Sequence, residues 1–321
     1  MKSKIVLVSP AAKESNNGNW HTAYRWAKFL SRHCDIAISQ SWDGADDNST
    51  AMIALHARRS ASSIHAWAAM YSNKPLIVVL TGTDLYRDIQ TDADAKQSLN
   101  LATHLVVLQE AGLAALPAAL RAKTSVIYQS AQRLKPVSKS TQPFKAVMVG
   151  HLRDEKDPLT FIKAAAITKS KNIVFEQIGD GLDTALASAA SQATTEQSNY
   201  RWLGGLPRGE TRQRIKRAHV LVNCSVMEGG AHVILEAVQS GTPVLASRIS
   251  GNIGMLGADY AGYFDVGDAA GLAALVERCA TEPTFLAHLQ SQCAQRAELF
   301  EPALEKRLVL SLVQDALMHR P

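Results

Sequence analysis

Two glutamates, eight residues apart, are the residues whose types and spacing point most clearly to ligand chemistry. Glu228 and Glu236 lie in the stretch NCSVMEGGAHVILEAVQSGTP, residues 223–243, where a strand pattern gives way to a helical pattern. Gly229 and Gly230 let the backbone approach a ligand, and the first N–H groups of a helix attract anions. Carboxylates that accept hydrogen bonds from hydroxyl groups, together with N–H groups that donate to phosphates, suit a sugar nucleotide as the ligand. An ordinary glycine turn with solvated glutamates has the same pattern.

Length and composition limit the class of protein. The chain has 321 residues, of which 46% are hydrophobic and 20% are charged, with a net charge of +5. This length predicts two α/β domains of roughly 150 residues each, because one core rarely grows larger. Lysines and arginines are scattered, which argues against nucleic acid or a membrane surface as a partner and leaves a small anionic substrate.

The cysteines and the amino terminus predict a cytoplasmic location. Cys34, Cys224, Cys279 and Cys293 show neither CxxC spacing nor a histidine at zinc-ligand spacing, so we expect reduced thiols and no metal site. The apolar run at residues 5–8 is too short for a signal peptide, and no span approaches the ~20 apolar residues of a membrane helix. We expect no bound cofactor.

The first half of the chain has the strand spacing of a doubly wound sheet. Strands are predicted at residues 4–9, 35–39, 50–55, 76–80, 105–108 and 125–127. Ligands of open α/β sheets bind outside the carboxyl ends of the strands. The polar residues expected there are Asn19, His21, Arg25, Arg58, Arg59, Thr81, Thr83 and Asp84. For the arginines, a solvated surface is an equally good interpretation.

A segment rich in Pro, Ser, Thr and Lys, at residues 134–143, predicts a boundary between domains. We therefore expect one domain at residues 1–138, joined by a returning terminal helix at about 302–321, and another at 139–301.

The second half repeats the pattern of a strand followed by a polar or glycine-rich loop. Arg153 and Lys156 follow its first strand near a helix start, which favours contact with a diphosphate. The loop at residues 250–254 is predicted to offer backbone donors for phosphate.

With these residues in place, the chain resembles the GT-B glycosyltransferases of family 4. The resemblance rests on VGxLxxEK at 149–156, IGDG at 178–181, the glutamate pair, and SGTPV at 240–244. It implies an α/β fold of two Rossmann-like doubly wound domains that face each other across a cleft, with a UDP-sugar as co-substrate. It also implies that Glu236 holds the ribose hydroxyls, Glu228 faces the donor sugar and Lys156 meets the diphosphate. The remaining donor-binding residues that it implies are Arg153, Gly179, Gly181, Gly229, Gly230, Ala231, Gly251 and Asn252.

Three departures from the family pattern bear on the acceptor. His151 stands where the family usually has arginine, and Gly230-Ala231 followed by His232 replaces the usual Phe-Gly. The common HGxD is here Thr81-Gly82-Thr83-Asp84, so a histidine near the reacting carbon is missing. A hydroxyl acceptor gains from a neighbouring base, whereas an acceptor that is already anionic does not need one.

Five motifs of this chain contain or accompany these departures: GNWHTAYRW, LHARRSA, LTGTDLYRD, VGHLRDEKDP and EGGAHVILEA. Together they are similar to motifs of the selenosugar synthases of selenoneine biosynthesis. The resemblance implies transfer of the sugar of UDP-N-acetylglucosamine or UDP-glucose to selenophosphate, with loss of UDP and phosphate. His232, Glu228 and Asp84 are then the expected catalytic residues, and the strand-end residues of the first domain, Asn19, His21, Arg25, Arg58, Arg59, Thr81 and Thr83, are the expected acceptor-binding residues. Enzymes that supply selenophosphate or use the selenosugar are the expected partners.

Two alternatives remain at this point. One is a conventional family 4 glycosyltransferase with a hydroxyl acceptor, and the other is a non-catalytic two-domain protein that binds a small ligand, since fold alone does not decide function. The stereochemical outcome of the transfer also stays open.

Overall fold

The computed structural model describes residues 2–11, 18–44 and 48–318. The chain divides into two compact units. Unit 1 comprises Met1–Gln129 and Pro302–Pro321, and unit 2 comprises Ser130–Glu301.

Within the described part of unit 1, six parallel strands form one sheet in the order β2-β1-β3-β4-β5-β6. The strands are β1 (Ser3–Val8), β2 (Cys34–Ser39), β3 (Ala51–Leu55), β4 (Leu76–Leu80), β5 (His104–Val107) and β6 (Thr124–Val126). The helices are α1 (Gly18–Leu30), α2 (Ala61–Met70), α3 (Ile89–Thr91), α4 (Ala93–Leu101), α5 (Gly112–Ala115) and α6 (Ala118–Arg121), with a π-helical turn at Asp84–Asp88 before α3. The terminal helix α14 (Pro302–Met318) also belongs to this unit.

The first strand is buried on both faces, as its continuous apolar run predicts. Ile5 and Leu7 point to one core, which includes Trp26 of α1 and Val309 of α14. Val6 and Val8, the alternate residues of the strand, pack in the other core with Trp67 of α2. Side chains of successive strand residues point to opposite faces, so β1 connects both cores.

Residues 130–301, all of which the structure describes, contain a second sheet of six parallel strands in the order β12-β11-β10-β7-β8-β9. The strands are β7 (Phe144–Val149), β8 (Ile173–Ile178), β9 (Tyr200–Trp202), β10 (Val220–Asn223), β11 (Val244–Ser247) and β12 (Tyr263–Phe264). The helices are α7 (Pro158–Ile167), α8 (Thr184–Glu196), α9 (Arg208–Arg217), α10 (His232–Val238), α11 (Ser250–Leu256), α12 (Ala269–Thr281) and α13 (Pro283–Arg296). Turns of 3-10 helix lie at Asp154–Lys156 and Ala297–Phe300.

Aspartates begin several of these helices and so fix where the preceding loops end. Asp157, in the left-handed region with φ 45°, accepts a hydrogen bond from the backbone N–H of Thr160, and Pro158 occupies the first position of α7. Asp183 and Asp268 cap α8 and α12 in the same way. Each cap satisfies a backbone donor that the helix leaves free.

The structure differs from the sequence prediction at two places in unit 2. The boundary between the units falls at Gln129/Ser130, earlier than the predicted 138/139. The reason is that the backbone of the intervening segment bonds to unit 2: the N–H of Ala131 donates to Phe300 O at 3.2 Å and that of Leu134 donates to Gln239 O at 2.9 Å. The predicted flexible loop at 250–254 is instead the start of α11.

No helix in the described parts of the chain is both long enough and apolar enough to cross a membrane.

Candidate functional site

Glu228 forms an ion pair with Lys156 in unit 2. Lys156 ends the 3-10 turn after β7, and Glu228 lies in the loop after β10, a neighbouring strand of the sheet. The loops are also joined by their backbones, since the N–H of Val226 donates to Glu155 O at 3.0 Å. Burial alone would raise the pKa of Glu228, but the Lys156 ammonium and hydrogen bonds from Lys156, Ser225 and Asn223 hold that pKa below its ordinary value. Glu228 is therefore ionised at neutral pH.

A buried polar network supports the loop that carries Glu228. The hydroxyl of Ser225 donates to Glu228 Oε1 at 2.6 Å, and Asn252 Nδ2 donates to Asn223 Oδ1 at 3.2 Å and to Ser247 O at 2.9 Å. Asn252 is fully buried, and its Oδ1 has no hydrogen-bond partner among the described residues. Asn252 was predicted to bind the donor, and the structure places its side chain within this network.

Glu236 is the centre of a second charged cluster. It lies inside α10 and is 5% exposed. Its Oε1 is 3.3 Å from Arg208 Nη2, 3.8 Å from Arg212 Nε and 3.4 Å from His232 Nδ1. Burial opposes ionisation of Glu236, but the hydrogen bond from His232 and the charges of His232, Arg208 and Arg212 lower its pKa to about 2. Glu236 is thus a fixed anion that can accept hydrogen bonds from hydroxyl groups.

His232 is the first residue of α10, and the ring has unused hydrogen-bonding capacity. Its Nε2 is buried without a hydrogen-bond partner among the described residues, and Nε of Arg212, which lies 3.8 Å from Glu236, likewise makes no hydrogen bond there. Unpaired buried nitrogens are uncommon, and a ligand is one way to satisfy them.

Two of the predicted glycines are required by close packing. A Cβ on Gly179, whose φ is +150°, would lie 2.0 Å from Gly150 O. A Cβ on Gly251 would lie 2.0 Å from Glu228 O, so α11 packs directly on the loop that carries Glu228. Gly181 pairs with Leu152 in an isolated bridge, which joins the loops after β8 and β7.

The short connection between Glu228 and α10 contains the other predicted backbone positions. Gly229 and Ala231 are buried and Gly230 is half-buried, and the carbonyl of Ala231 accepts the N–H of Ile234 at 2.9 Å.

Cationic side chains also follow β7, at the carboxyl end of that strand. Arg153 is about half exposed and lies 3.9 Å from Glu155. His151 accepts a hydrogen bond on Nδ1 from the N–H of Asp180 at 3.2 Å. Burial and the neighbouring Arg153 and Lys156 lower the pKa of His151 despite the Asp180 carboxylate, so this histidine is neutral at physiological pH.

In unit 1, Asp84 organises the loops after β3 and β4. It is fully buried, and its carboxylate accepts the backbone N–H groups of Ala57 at 3.0 Å, Thr81 at 2.8 Å and Gly82 at 2.9 Å. The catalytic role expected of Asp84 stays a prediction. In the structure, its carboxylate joins the loops after β3 and β4 through these hydrogen bonds.

His56 follows β3 and reaches the Thr83 side chain. It has a φ of 72°, is 2% exposed, and places Nε2 3.0 Å from Thr83 Oγ1. Burial is the main reason that its pKa is lowered; Arg59 and Arg58 lower it further, and Asp84 and Asp88 oppose them. A histidine therefore lies beside Thr81-Gly82-Thr83-Asp84, and the sequence analysis did not identify it.

The arginines predicted to bind the acceptor differ in their surroundings. Arg58 is about half exposed, with Nε 2.9 Å from Asp92. Arg59 is exposed and donates its backbone N–H to His56 Nδ1 at 3.2 Å. Arg25 donates from Nε and Nη2 to the fully buried Glu305 of α14 at 2.7 and 2.9 Å, which joins α1 to the terminal helix.

Asn19 and His21 are half-buried in the first turn of α1. The acceptor roles of Asn19, His21, Arg25, Arg58, Arg59, Thr81 and Thr83 stay predictions.

Sequence reasoning also missed Arg208 and Arg212, which approach Glu236 from α9. Their signal was weak, because the helix RGETRQRIKR looks like a solvated basic face. Within the part of the chain that the structure describes, no group of three or more His, Cys, Asp or Glu side chains is placed to hold a metal ion.

Comparison with known proteins defines the class. Residues 129–299 match the family "Glycosyl transferases group 1". A Xenopus tropicalis protein, glycosyltransferase 1 domain-containing protein 1, is 32% identical over 108 residues, which are 33% of this chain and 31% of that protein. The chain thus spans about a third of the length of this relative.

Among solved structures, Anabaena HepE in complex with UDP-glucose has a TM-score of 0.79 at 16% identity, covering 97% of this chain and 99% of HepE. Sucrose-phosphate synthase from Thermosynechococcus elongatus has a TM-score of 0.79 at 14% identity, covering 99% of this chain and 100% of that one. These likenesses confirm the predicted GT-B fold of two parallel-sheet Rossmann-like domains. The chain belongs to the group 1 glycosyl transferases, which favours the predicted enzyme over a non-catalytic binding protein.

Proposed function

We propose that this protein transfers the sugar of a UDP-sugar to selenophosphate and so acts as a selenosugar synthase. The choice of acceptor rests on the surroundings of Asp84. This carboxylate, beside Thr81 and Thr83, is fully buried and accepts hydrogen bonds from three backbone N–H groups. It is poorly placed to take a proton from a hydroxyl acceptor. A selenophosphate anion needs hydrogen-bond donors and cations, which Thr81, Thr83 and the neighbouring arginines supply.

The donor half of the proposal uses unit 2. Ribose hydroxyls donate to the ionised carboxylate of Glu236, and Arg153 and Lys156 neutralise the diphosphate. Glu228, the backbone of residues 229–231, and Gly251 with Asn252 shape the site of the sugar. Support comes from the match to the group 1 family and from the likeness to HepE, which was solved with UDP-glucose.

The reaction has two bond exchanges. Selenium attacks the anomeric carbon with a lone pair, and the bond from that carbon to the UDP oxygen breaks, so the electron pair leaves with UDP. Water then attacks phosphorus, the P–Se bond breaks, and phosphate leaves with the oxygen of that water. The products are UDP, phosphate and the selenosugar. Selenium is a soft anionic nucleophile, so the first exchange needs no general base.

Within this scheme, His232 directs its buried Nε2 toward the reacting groups, and Glu228 orients the sugar through its ionised carboxylate. Asp84 acts through the loops that it holds. Enzymes that make selenophosphate and enzymes that consume the selenosugar are the partners that the reaction implies.

The test is a single assay of donors and acceptors. The protein is incubated with UDP-N-acetylglucosamine or UDP-glucose, together with selenophosphate or a panel of sugar alcohols and glycosides. We expect UDP release only with selenophosphate, together with a selenium-containing sugar by mass spectrometry. UDP release that depends on a hydroxyl acceptor, without turnover of selenophosphate, contradicts the proposal in favour of a conventional glycosyltransferase.

A further inference from the structure

His56 stands in a backbone conformation that few histidines adopt. It directly follows β3, its φ is 72°, and it is 2% exposed. A left-handed non-glycine residue persists only where its surroundings hold it, and such residues cluster at functional sites. Here its N–H donates to Val79 O at 2.8 Å and its carbonyl accepts the N–H of Ser60 at 3.0 Å. The turn is fixed from both sides.

The hydrogen bonds of the ring define its tautomer. Nδ1 accepts the backbone N–H of Arg59 at 3.2 Å, so the neutral ring carries its proton on Nε2. Nε2 lies 3.0 Å from Thr83 Oγ1 and therefore donates to it. With its oxygen occupied as an acceptor, the Thr83 hydroxyl directs its own hydrogen to another group.

The neighbouring carboxylates do not compete for the histidine proton. Asp88 Oδ2 lies 3.9 Å from Nε2 and Asp84 Oδ2 lies 3.9 Å from Nδ1, both beyond hydrogen-bond distance. Asp84 is bound by backbone N–H groups, and Asp88 receives Arg87 Nε at 3.1 Å. Thr83 is thus the partner of Nε2, and His56 has no free lone pair on that nitrogen with which to act as a base.

We propose that His56 is a positioning residue that fixes the Thr83 hydroxyl as a hydrogen-bond donor to a phosphoryl oxygen of the acceptor. This inference rests on the proposed function and adds to it the pair of side chains that recognises the tetrahedral anion. Thr83 is half-buried, whereas the histidine that its hydroxyl contacts is enclosed.

The test is a double-mutant cycle on the full chain. His56→Asn removes the ring but keeps a residue that tolerates the left-handed turn, and Thr83→Val removes the hydroxyl while keeping the shape. With UDP-N-acetylglucosamine and selenophosphate, we expect each variant to raise the KM for selenophosphate about tenfold, which corresponds to one lost hydrogen bond. The KM for UDP-N-acetylglucosamine should stay within about twofold, and Thr83→Ser should behave like the wild type. The double variant should be no worse than Thr83→Val alone, because the histidine acts through the hydroxyl.

A pH profile gives a second measurement. Protonation of Nδ1 removes the acceptor for the Arg59 N–H and so loosens the ring that holds Thr83. The KM for selenophosphate of the wild type, divided by that of His56→Asn at the same pH, should therefore rise toward acid pH, and the titration of selenophosphate itself cancels in this ratio. Asp84 and Asp88 face the ring and favour its protonation, while Arg58 and Arg59 oppose it.

Effects that multiply in the double variant, or an equal rise in both KM values, would overturn the role of His56. If the wild type uses a hydroxyl acceptor and not selenophosphate, the proposed function fails, and the same cycle with that acceptor still decides whether His56 acts through Thr83. Absence of any turnover contradicts both.

Discussion

Lys156 and Glu228, 72 residues apart in the chain, form an ion pair beyond the carboxyl ends of strands β7 and β10 of unit 2. Both side chains are mostly enclosed, with 18% and 11% exposure. A buried carboxylate that loses its cation is costly, because it keeps its desolvation without compensation. The residue predicted to meet the diphosphate therefore also stabilises the residue predicted to face the sugar.

Replacing Lys156 by methionine should lower the free energy of unfolding by about 1–3 kcal/mol at pH 7.5, measured by urea denaturation. Lys163→Met, at an exposed position of α7, is the matched control and should have little effect. The pKa of Glu228 is below its ordinary value in the folded protein, so the pair stabilises the fold above the unfolded pKa. The deficit of the variant should shrink as the pH falls from about 5 through the folded pKa. A deficit that is independent of pH would contradict the pairing.

Glu236→Ala should weaken UDP binding at least about tenfold, because each charge-assisted hydrogen bond is worth about 1.5–3 kcal/mol. Isothermal titration calorimetry with UDP measures this. Since the pKa of Glu236 is about 2, the carboxylate is ionised throughout the working range, and its contribution should not change between pH values of about 5 and 8. Glu210→Ala, which removes an exposed carboxylate of α9, is the control. Equal UDP affinity in Glu236→Ala and the wild type would exclude the ribose role.

The sequence predicted more of the fold than of the contacts within the candidate site. The continuous apolar run at 76–80 predicted a buried strand with the bounds that β4 has, because five apolar residues between Pro75 and Gly82 are too few for a helix and typical of a strand enclosed on both faces. The two residues of β12 were missed, since so short an edge strand has no period to detect.

Single site residues were predictable from their type and motif, but the contact between two residues was visible only where they are close in the sequence. Glu228 and Glu236 share one loop and helix, so their relation is visible in the sequence. Arg208 approaches Glu236 from a separate helix, and His56 approaches Thr83 from a separate strand. Such pairs depend on which strands are neighbours, and the order β2-β1-β3-β4 cannot be read from local spacing.

His232→Ala should slow turnover at least about tenfold while UDP affinity changes less than about threefold. The reason is that Nε2 of His232 is buried without a described partner, whereas Glu236 keeps Arg208 and Arg212 when the imidazole is removed. Steady-state turnover and UDP titration are compared on the same preparation. An equal loss of both would indicate that His232 acts only by supporting Glu236.

Arg25→Met should destabilise unit 1 by about 3–5 kcal/mol, since it leaves the fully buried Glu305 without its bidentate partner. Urea unfolding of this variant is compared with that of Gln314→Ala, at an exposed position of α14, the helix that carries Glu305. Lower stability with an unchanged KM for selenophosphate would assign Arg25 to the fold. A raised KM with unchanged stability would support the predicted acceptor role.

Gly251→Ala tests the contact between α11 and the loop that carries Glu228. The added methyl group would lie 2.0 Å from Glu228 O, so the loop or the helix must shift, and a backbone atom cannot rotate out of the way. We expect lower stability by about 1–3 kcal/mol, as for other overpacked sites, together with weaker UDP binding. Gly209→Ala is the matched control, because its methyl group would meet nothing within 4 Å, and alanine in α9 should raise stability by up to about 1 kcal/mol. If both variants bind UDP as the wild type does, the position of Glu228 does not depend on this contact.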